Sequence, residues 1–284
     1  MIYLYRDKIK ISVHSTNEIM THFERCIEND ESFSLIRFGD GGLKLINAYY
    51  TDDIKQLKNI SIKEGIPLNK IKWLLKRWAI SASRADYIDT PEVYFSKKFW
   101  GRYRKDKKEP TEKTSKLLIS WKDIYDKAKF KNNSFCNPEF NYLCCLRLGE
   151  RKNLLDVIKG KKVCMIATCP EIKYKFSKLC DMDIWKISGQ YQDQYKKSYD
   201  NTILFIKNSA KIYDFWLICA GELGRLYSGM IRDLGGRCLD MGFVAEYWLN
   251  GEIPIRLKYF LRPNPKSRLE FRLTYEGQQY INWL

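Results

Sequence analysis

Apolar and polar residues follow two different rhythms along this chain, and the change between them organises the whole reading. In the first half the apolar positions recur mostly at helical spacing. Ser15-Thr16-Asn17-Glu18, a serine followed three residues later by a glutamate, has the form of a capping box and opens a helix predicted to run to about Asn29. Phe33-Ser34-Leu35-Ile36-Arg37-Phe38 then reads as a strand. It ends in Gly39-Asp40-Gly41-Gly42, whose glycines permit a tight turn with backbone N–H groups presented to a ligand. Helical spacing resumes at Leu43-Lys44-Leu45-Ile46, and two helices are predicted between about Asp52 and Ser83, the second over Leu68–Ala82. Val93-Tyr94-Phe95 is a short candidate strand, Arg102–Pro110 a loop with the character of a mobile one, and Thr111–Lys129 a further helix.

In the second half, short β-rich runs are separated by helical ones, the signature of βαβ units and a parallel sheet. The predicted strands are Val163–Ala167, Asp183–Ile187, Phe215–Cys219 and Arg237–Asp240. The fold class is therefore α/β, a Rossmann-like parallel sheet flanked by helices. We expect one compact unit over residues 1–284, with an N-terminal half (1–150) carrying the Asp40 loop, a Rossmann-like half (151–252), and a tail (253–284) that wraps over the domain or extends from it.

Composition narrows the class. The 284 residues are enough to bury a sizeable core. No run of about 18 apolar residues occurs that would span a bilayer, and the charged N-terminus lacks the form of a secretory signal. A cytoplasmic location, with peripheral membrane contact as an option, is the expectation. The nine cysteines are scattered without a C-x-x-C pair, which argues for reduced core thiols rather than a disulfide framework or a zinc site. With His14 and His22 as the only histidines, both near the first helix, a histidine-based nucleophile triad or zinc protease is nearly excluded, and carboxylates are expected to do any base work. The net charge is +16, and residues 97–131 alone contribute +8 of it. That stretch fits a nucleic-acid surface, contact with an anionic membrane or lipid-linked substrate, or a solvated basic face.

In open parallel sheets, ligands bind outside the carboxyl ends of the strands. The residues there are polar: Thr168, Ser188 and Gln190, the segment Ala220-Gly221-Glu222-Leu223-Gly224-Arg225, and Asp240 with Gly242. The Ala220–Arg225 segment gives a glycine loop and a helix N-terminus, where free N–H groups and the helix dipole favour phosphate. Arg225 adds a candidate charge-assisted contact, although the same glycine spacing also serves plain packing. It matches neither the dinucleotide fingerprint nor a P-loop. Arg37-Phe38-Gly39-Asp40-Gly41-Gly42 is the second loop. Its carboxylate at a strand end suits a metal–diphosphate or a sugar hydroxyl, with Arg37 facing phosphate or orienting the aspartate. An ordinary Asp-Gly turn is the plainer alternative.

At these residues the chain resembles the GT-D type bacterial glycosyltransferases, which extend glycans on serine-rich adhesins. Ser34-Leu35-Ile36-Arg37-Phe38-Gly39-Asp40-Gly41 is similar to the family's Ile-Arg-Phe-Gly-Asp-Gly-Glu. The run Leu217–Gly224, then Gly235-Gly236, Leu239-Asp240-Met241-Gly242 and Glu246-Tyr247-Trp248, follows the family's later segments in order and spacing. The resemblance implies transfer of a sugar from a nucleotide sugar, a UDP-sugar foremost, to a glycan, glycoprotein or glycolipid acceptor. It also implies a divalent cation, Mn2+ or Mg2+, at an Asp-x-Glu motif, of which this chain keeps Asp40 but has Gly42 in place of the glutamate. Loss of one carboxylate weakens a metal, shifts its ligand elsewhere, or leaves basic side chains to neutralise the diphosphate. Carried over in this way, Asp40, Asp240 and Glu246 are the catalytic candidates. Arg37, Gly39, Gly41, Thr168, Ser188, Gly221, Glu222, Gly224 and Arg225 are the donor-binding ones. The rival readings are a basic nucleic-acid-binding protein on the same fold without activity, and a methyltransferase, which the absence of an early glycine-rich strand-loop of its usual kind disfavours.

Overall fold

The structure is a computed structural model that describes residues 2–6, 9–37, 45, 48–89, 134–136, 140, 144, 152–242 and 244–250. The expected strand at Val93–Phe95, the loop Arg102–Pro110, the helix Thr111–Lys129, the basic stretch 97–131 and the tail 253–284 lie outside the described residues, as do Gly39, Asp40, Gly41 and Gly42.

One sheet of nine strands forms the frame: β1 (Ile2–Arg6), β2 (Ile9–His14), β3 (Phe33–Ile36), β4 (Tyr87–Asp89), β5 (Ser134–Cys136), β6 (Lys162–Ala167), β7 (Asp181–Lys186), β8 (Phe215–Ile218) and β9 (Arg237–Asp240). Their spatial order is β1-β2-β5-β4-β3-β9-β8-β6-β7. β1 runs antiparallel to β2, and every other neighbouring pair is parallel. The Rossmann-like sheet read from the sequence is therefore present, with the β1–β2 pair added at one edge.

Both faces are covered, as parallel sheets require, and alternation along each strand sends successive side chains to opposite sides. Phe33, Leu35, Phe215, Leu217 and Leu239 join a core with Ile19, Met20 and Phe23 of α1 (Thr16–Glu28), Leu154 and Val157 of α4 (Leu154–Ile158), and Trp248 of α7 (Val244–Asn250). Ile36, Trp216, Ile218 and Cys238 join the other. There they meet Leu57 of α2 (Ile54–Glu64), Ile71, Leu74 and Trp78 of α3 (Leu68–Arg84), Ile206 of α5 (Tyr199–Ser209), and Leu226 and Ile231 of α6 (Gly221–Asp233). Burying side chains such as Phe33 and Trp216 completely contributes about 1.5–3 kcal/mol each.

The capping box exists as predicted: the Glu18 N–H donates to Ser15 Oγ, and the Ser15 N–H donates to Glu18 Oε2 at 2.8 Å. That backbone donor holds the Glu18 carboxyl down at about 2. The two histidines pack locally, with His22 Nδ1 at 2.9 Å from Tyr87 Oη and both rings set edge-on to Tyr87. Cys26, Cys164, Cys180, Cys219 and Cys238 are buried free thiols, the state expected of them. Among the described residues no helix is long and apolar enough to cross a membrane.

Helices α3 and α6 cross in close contact because Gly229 has no side chain. A Cβ there would lie 2.1 Å from Ser81 Oγ and 3.1 Å from Ser81 Cα. Gly229→Ala is expected to destabilise the protein by about 1–3 kcal/mol through overpacking, read as a lower urea midpoint. Adding Ser81→Gly should recover part of the loss, because the two changes share one contact.

Candidate functional site

The strand order reverses at β6: the chain passes from β6 outward to β7 and returns to β8 on the other side. Such a switch point opens a crevice at the strands' carboxyl ends. A cavity of about 120 Å³ lies there, lined by Thr168, Gly189, Gln194, Cys219, Gly221, Gly242, Ala245 and Glu246. Thr168 follows β6, Gly189 follows β7, Cys219 and Gly221 follow β8, and Gly242 follows β9. Four strand ends therefore converge on one opening. Gly221 begins α6, a helix of 13 residues, so the first backbone N–H groups of that helix and the positive end of its dipole meet the cavity.

Of the carboxylates singled out by sequence, Glu246 lines this cavity, exposed at the start of α7, with Thr168 Oγ1 donating to its Oε1 at 3.5 Å. Asp240 sits deeper. It is 1% exposed, and its Oδ2 accepts the Arg37 N–H at 3.2 Å while its Oδ1 accepts the Gly242 N–H at 3.1 Å. Burial raises its carboxyl above the ordinary range against the opposing pull of the Arg225 and Arg37 guanidiniums. Cys219 is a buried thiol pushed well up by desolvation, so it is no nucleophile at neutral pH.

Beneath the crevice the two halves of the chain are joined by charge. β3 pairs with β9 in parallel, which brings Arg37, just past β3, beside Asp240, the last residue of β9. Arg37 Nε lies 3.6 Å from Asp89 Oδ2, and Asp89 ends β4. Arg225 reaches the same point from α6. It is 6% exposed; its Nε donates to the Arg37 carbonyl at 2.5 Å, its Nη1 pairs with Glu222, and its guanidinium lies over the Trp78 ring, 5.1 Å from the centroid. Gly242, at φ +60°, completes the packing, since a Cβ would fall 2.2 Å from Arg37 Nη1. The structure thus places Arg225 below the glycine loop as a brace on Arg37, whereas the sequence suggested a residue reaching for phosphate. Glu222 is its ion-pair partner.

Thr168, Gly221 and Glu246 come together at the cavity, joined by Gly242. Arg37, Glu222, Arg225 and Asp240 come together underneath it. Gly224 packs against Ile218 at the start of α6, where a Cβ would come 3.2 Å from Ile218 Cγ2. Ser188 borders the opening through its neighbour Gly189, its own N–H donating to Ser198 Oγ at 2.9 Å. Asp89, Gly189, Gln194 and Ala245 were missed by sequence reasoning. Asp89 had a usable signal, an aspartate closing the short apolar run Tyr87-Ile88. Among the described residues no group of three metal-ligating side chains assembles. Asp89, Asp240 and Glu222 each face an arginine, so these residues do not by themselves fit a divalent cation.

No protein-family profile matches the sequence, and no curated protein matches it significantly. Solved structures do match. The chain is similar to a highly conserved domain of unknown function, number 1792, described as having a distinct glycosyltransferase fold, at a TM-score of 0.52 and 15% identity over 94% of this chain and 90% of that one. The selenomethionine-substituted structure of that domain gives the same values. A protein from Streptococcus sanguinis described as a new glycosyltransferase of this kind matches at a TM-score of 0.50 and 15% identity over 85% of this chain and 86% of that one. At this level of identity the likeness is one of architecture: the chain has the α/β fold that these neighbours share, described for them as a glycosyltransferase fold.

Proposed function

We propose that the protein is a glycosyltransferase that binds a nucleoside-diphosphate sugar, a UDP-sugar foremost, in the crevice at the ends of β6, β8 and β9, and transfers the sugar to a hydroxyl of a glycan, glycoprotein or glycolipid acceptor. The observation that carries the reading is the convergence of a glycine loop, a helix N-terminus and an exposed carboxylate at the sheet's switch point. The fold shared with glycosyltransferase-fold domains supports it.

In this reading the first N–H groups of α6 receive the diphosphate, and at about 120 Å³ the cavity suits that group rather than a whole donor. The rest of the donor extends past Gln194 and Gly242. In transfer, the bond between the anomeric carbon and the phosphate oxygen breaks, and the acceptor oxygen bonds to that carbon. The nucleoside diphosphate leaves with the electron pair, while the hydroxyl proton passes to a carboxylate. Glu246, exposed at the cavity, is the carboxylate proposed to take that proton. The α6 N–H groups stabilise charge building on the leaving group. Asp240 and Arg225 act as positioning residues that hold the Arg37 end of the Asp40 loop. Asp40, outside the described residues, is proposed as the donor-side acid. A bound divalent cation would add charge neutralisation at the diphosphate; Asp40 is the residue proposed to recruit it.

The test is a thermal-shift panel of nucleoside diphosphates and sugar nucleotides, with and without manganese, on wild type and Asp40→Ala. Binding to the native state raises the melting temperature, by about 2.7 kcal/mol of added stability at a hundredfold excess over Kd. One nucleotide class should stabilise the wild type, and less so the variant. Failure of every nucleotide to shift the wild type would sink the reading.

A further inference from the structure

A second groove, larger than the crevice, lies away from the switch point. It has a volume of about 520 Å³ and lies at the outer edge of the sheet, lined by Pro170, Lys173 and Tyr174 together with Trp185, Phe205 and Tyr213. β7 is the last strand of the sheet, and its Asp183 and Ile184 also line the groove.

The chemistry of this groove is specific. Trp185 and Phe205 stack face to face, with centroids 4.0 Å apart and planes 7° from parallel. The Trp185 indole N–H donates to Thr202 Oγ1 at 2.9 Å, which fixes the ring. Both rings are only half-buried, although aromatic side chains of this size ordinarily go into a core. Tyr174 lines the same groove at 80% exposure. At the aromatic margin, Asp183 accepts the Tyr213 hydroxyl at 3.1 Å and pairs with Lys173 Nζ at 3.5 Å, both charged side chains being about half exposed. A carboxylate has about four lone-pair sites and an ammonium three donors, so this pair can still bind further hydroxyl groups.

The exposed Tyr174 ring and the partly exposed Trp185–Phe205 stack, beside a carboxylate–ammonium pair, suit a ligand that is apolar on one face and rich in hydroxyls at its rim. A pyranose ring fits: its C–H face carries slight positive charge and packs on the negative face of an aromatic ring, and its hydroxyls reach Asp183 and Lys173. The volume falls in the range of about 300–1,000 Å³ seen for small-molecule sites. Polyanions are disfavoured, because the charged residues that line the groove, Glu171, Lys173 and Asp183, are net negative. We infer that the groove at the β7 edge is a carbohydrate-binding subsite that holds a sugar unit of the acceptor. Its assignment to the acceptor rests on the transferase reading; carbohydrate binding itself does not. The groove and the crevice are close along the chain: Pro170 lies two residues beyond Thr168, and Trp185, within β7, four before Gly189. Four residues span at most about 14 Å, so a short oligosaccharide seated at the edge reaches the donor site.

The experiment is ligand-observed NMR with maltotriose, chitotriose and lactose as probes, on wild type, Tyr174→Ala and Asp183→Asn, with UDP and GDP binding measured in parallel. Tyr174→Ala removes a highly exposed ring and should leave the melting temperature within about 1 °C, as surface changes generally do. At least one probe should bind the wild type and lose fivefold or more in affinity in both variants, with nucleotide binding unchanged. No binding by any probe, or binding that neither variant weakens, would overturn the subsite. Sugar binding without any nucleotide binding would sink the transferase reading and leave the carbohydrate site standing. The reverse result would remove the groove and spare the transferase.

Discussion

Arg225→Met is expected to lower stability by about 3–5 kcal/mol, because removing one member of a buried charge network leaves the others uncompensated. The variant keeps an unbranched side chain against Trp78 but gives up the bond to the Arg37 carbonyl and the pair with Glu222. It also leaves Asp240, already raised by burial, without its largest opposing charge. Set against a total stability of 5–15 kcal/mol for a typical domain, a loss of this size should be plain in a urea titration. Arg225→Lys should fall between the two, since an ammonium keeps the charge but lacks the planar fork that both stacks on Trp78 and bonds in two directions. At a temperature where both variants are folded, nucleotide affinity should fall as well, because the Arg37 end of the Asp40 loop loses its brace. Full stability of the methionine variant would show that the network does not hold the seam.

Glu246→Gln is expected to act in the opposite manner. Glu246 is exposed at the crevice and bonds only weakly to Thr168, at 3.5 Å, so the melting temperature and nucleotide affinity should hardly move. Turnover should fall by about 10²–10⁴-fold, the usual contribution of a positioned general base. A rise in acceptor KM with kcat unchanged would assign Glu246 to acceptor binding instead. Paired with Arg225→Met, the variant tests separately the residue proposed to act in the chemistry and the one that braces the site.

What was legible in the sequence follows from length and period. β6 and β8 carry continuous apolar runs, β9 a short apolar pair followed by the Asp-Met-Gly turn, and all three stand where they were read, to within a residue. α1 was fixed by Ser15 and Glu18, whose side chains reach one another across a single turn. β7 begins two residues before its predicted start, because Asp181 sits on an edge where a charge is tolerated and so does not look like strand. β4 and β5, three residues each, are too short to establish a period, and β4 owes its place to its neighbours β3 and β5 rather than to its own pattern. That is why Asp89 went unseen. The glycine loop and Arg225 were found, but the role of Arg225 depends on Trp78, which arrives from a distant helix. No local pattern distinguishes an arginine that faces a ligand from one buried beneath it.

The β3–β9 pairing also bears on how the protein is made. Arg37 and Asp240 are 203 residues apart, and contacts of such separation are slow to form because a long loop must close before they give any return. During synthesis β3 emerges early but lacks one of its two lateral neighbours until nearly the whole sheet has left the ribosome. In the interval it exposes an unpaired edge, the kind of surface on which nascent chains aggregate. The floor of the crevice is then among the last parts to assemble, and a nascent chain gains it only when the sheet is closed.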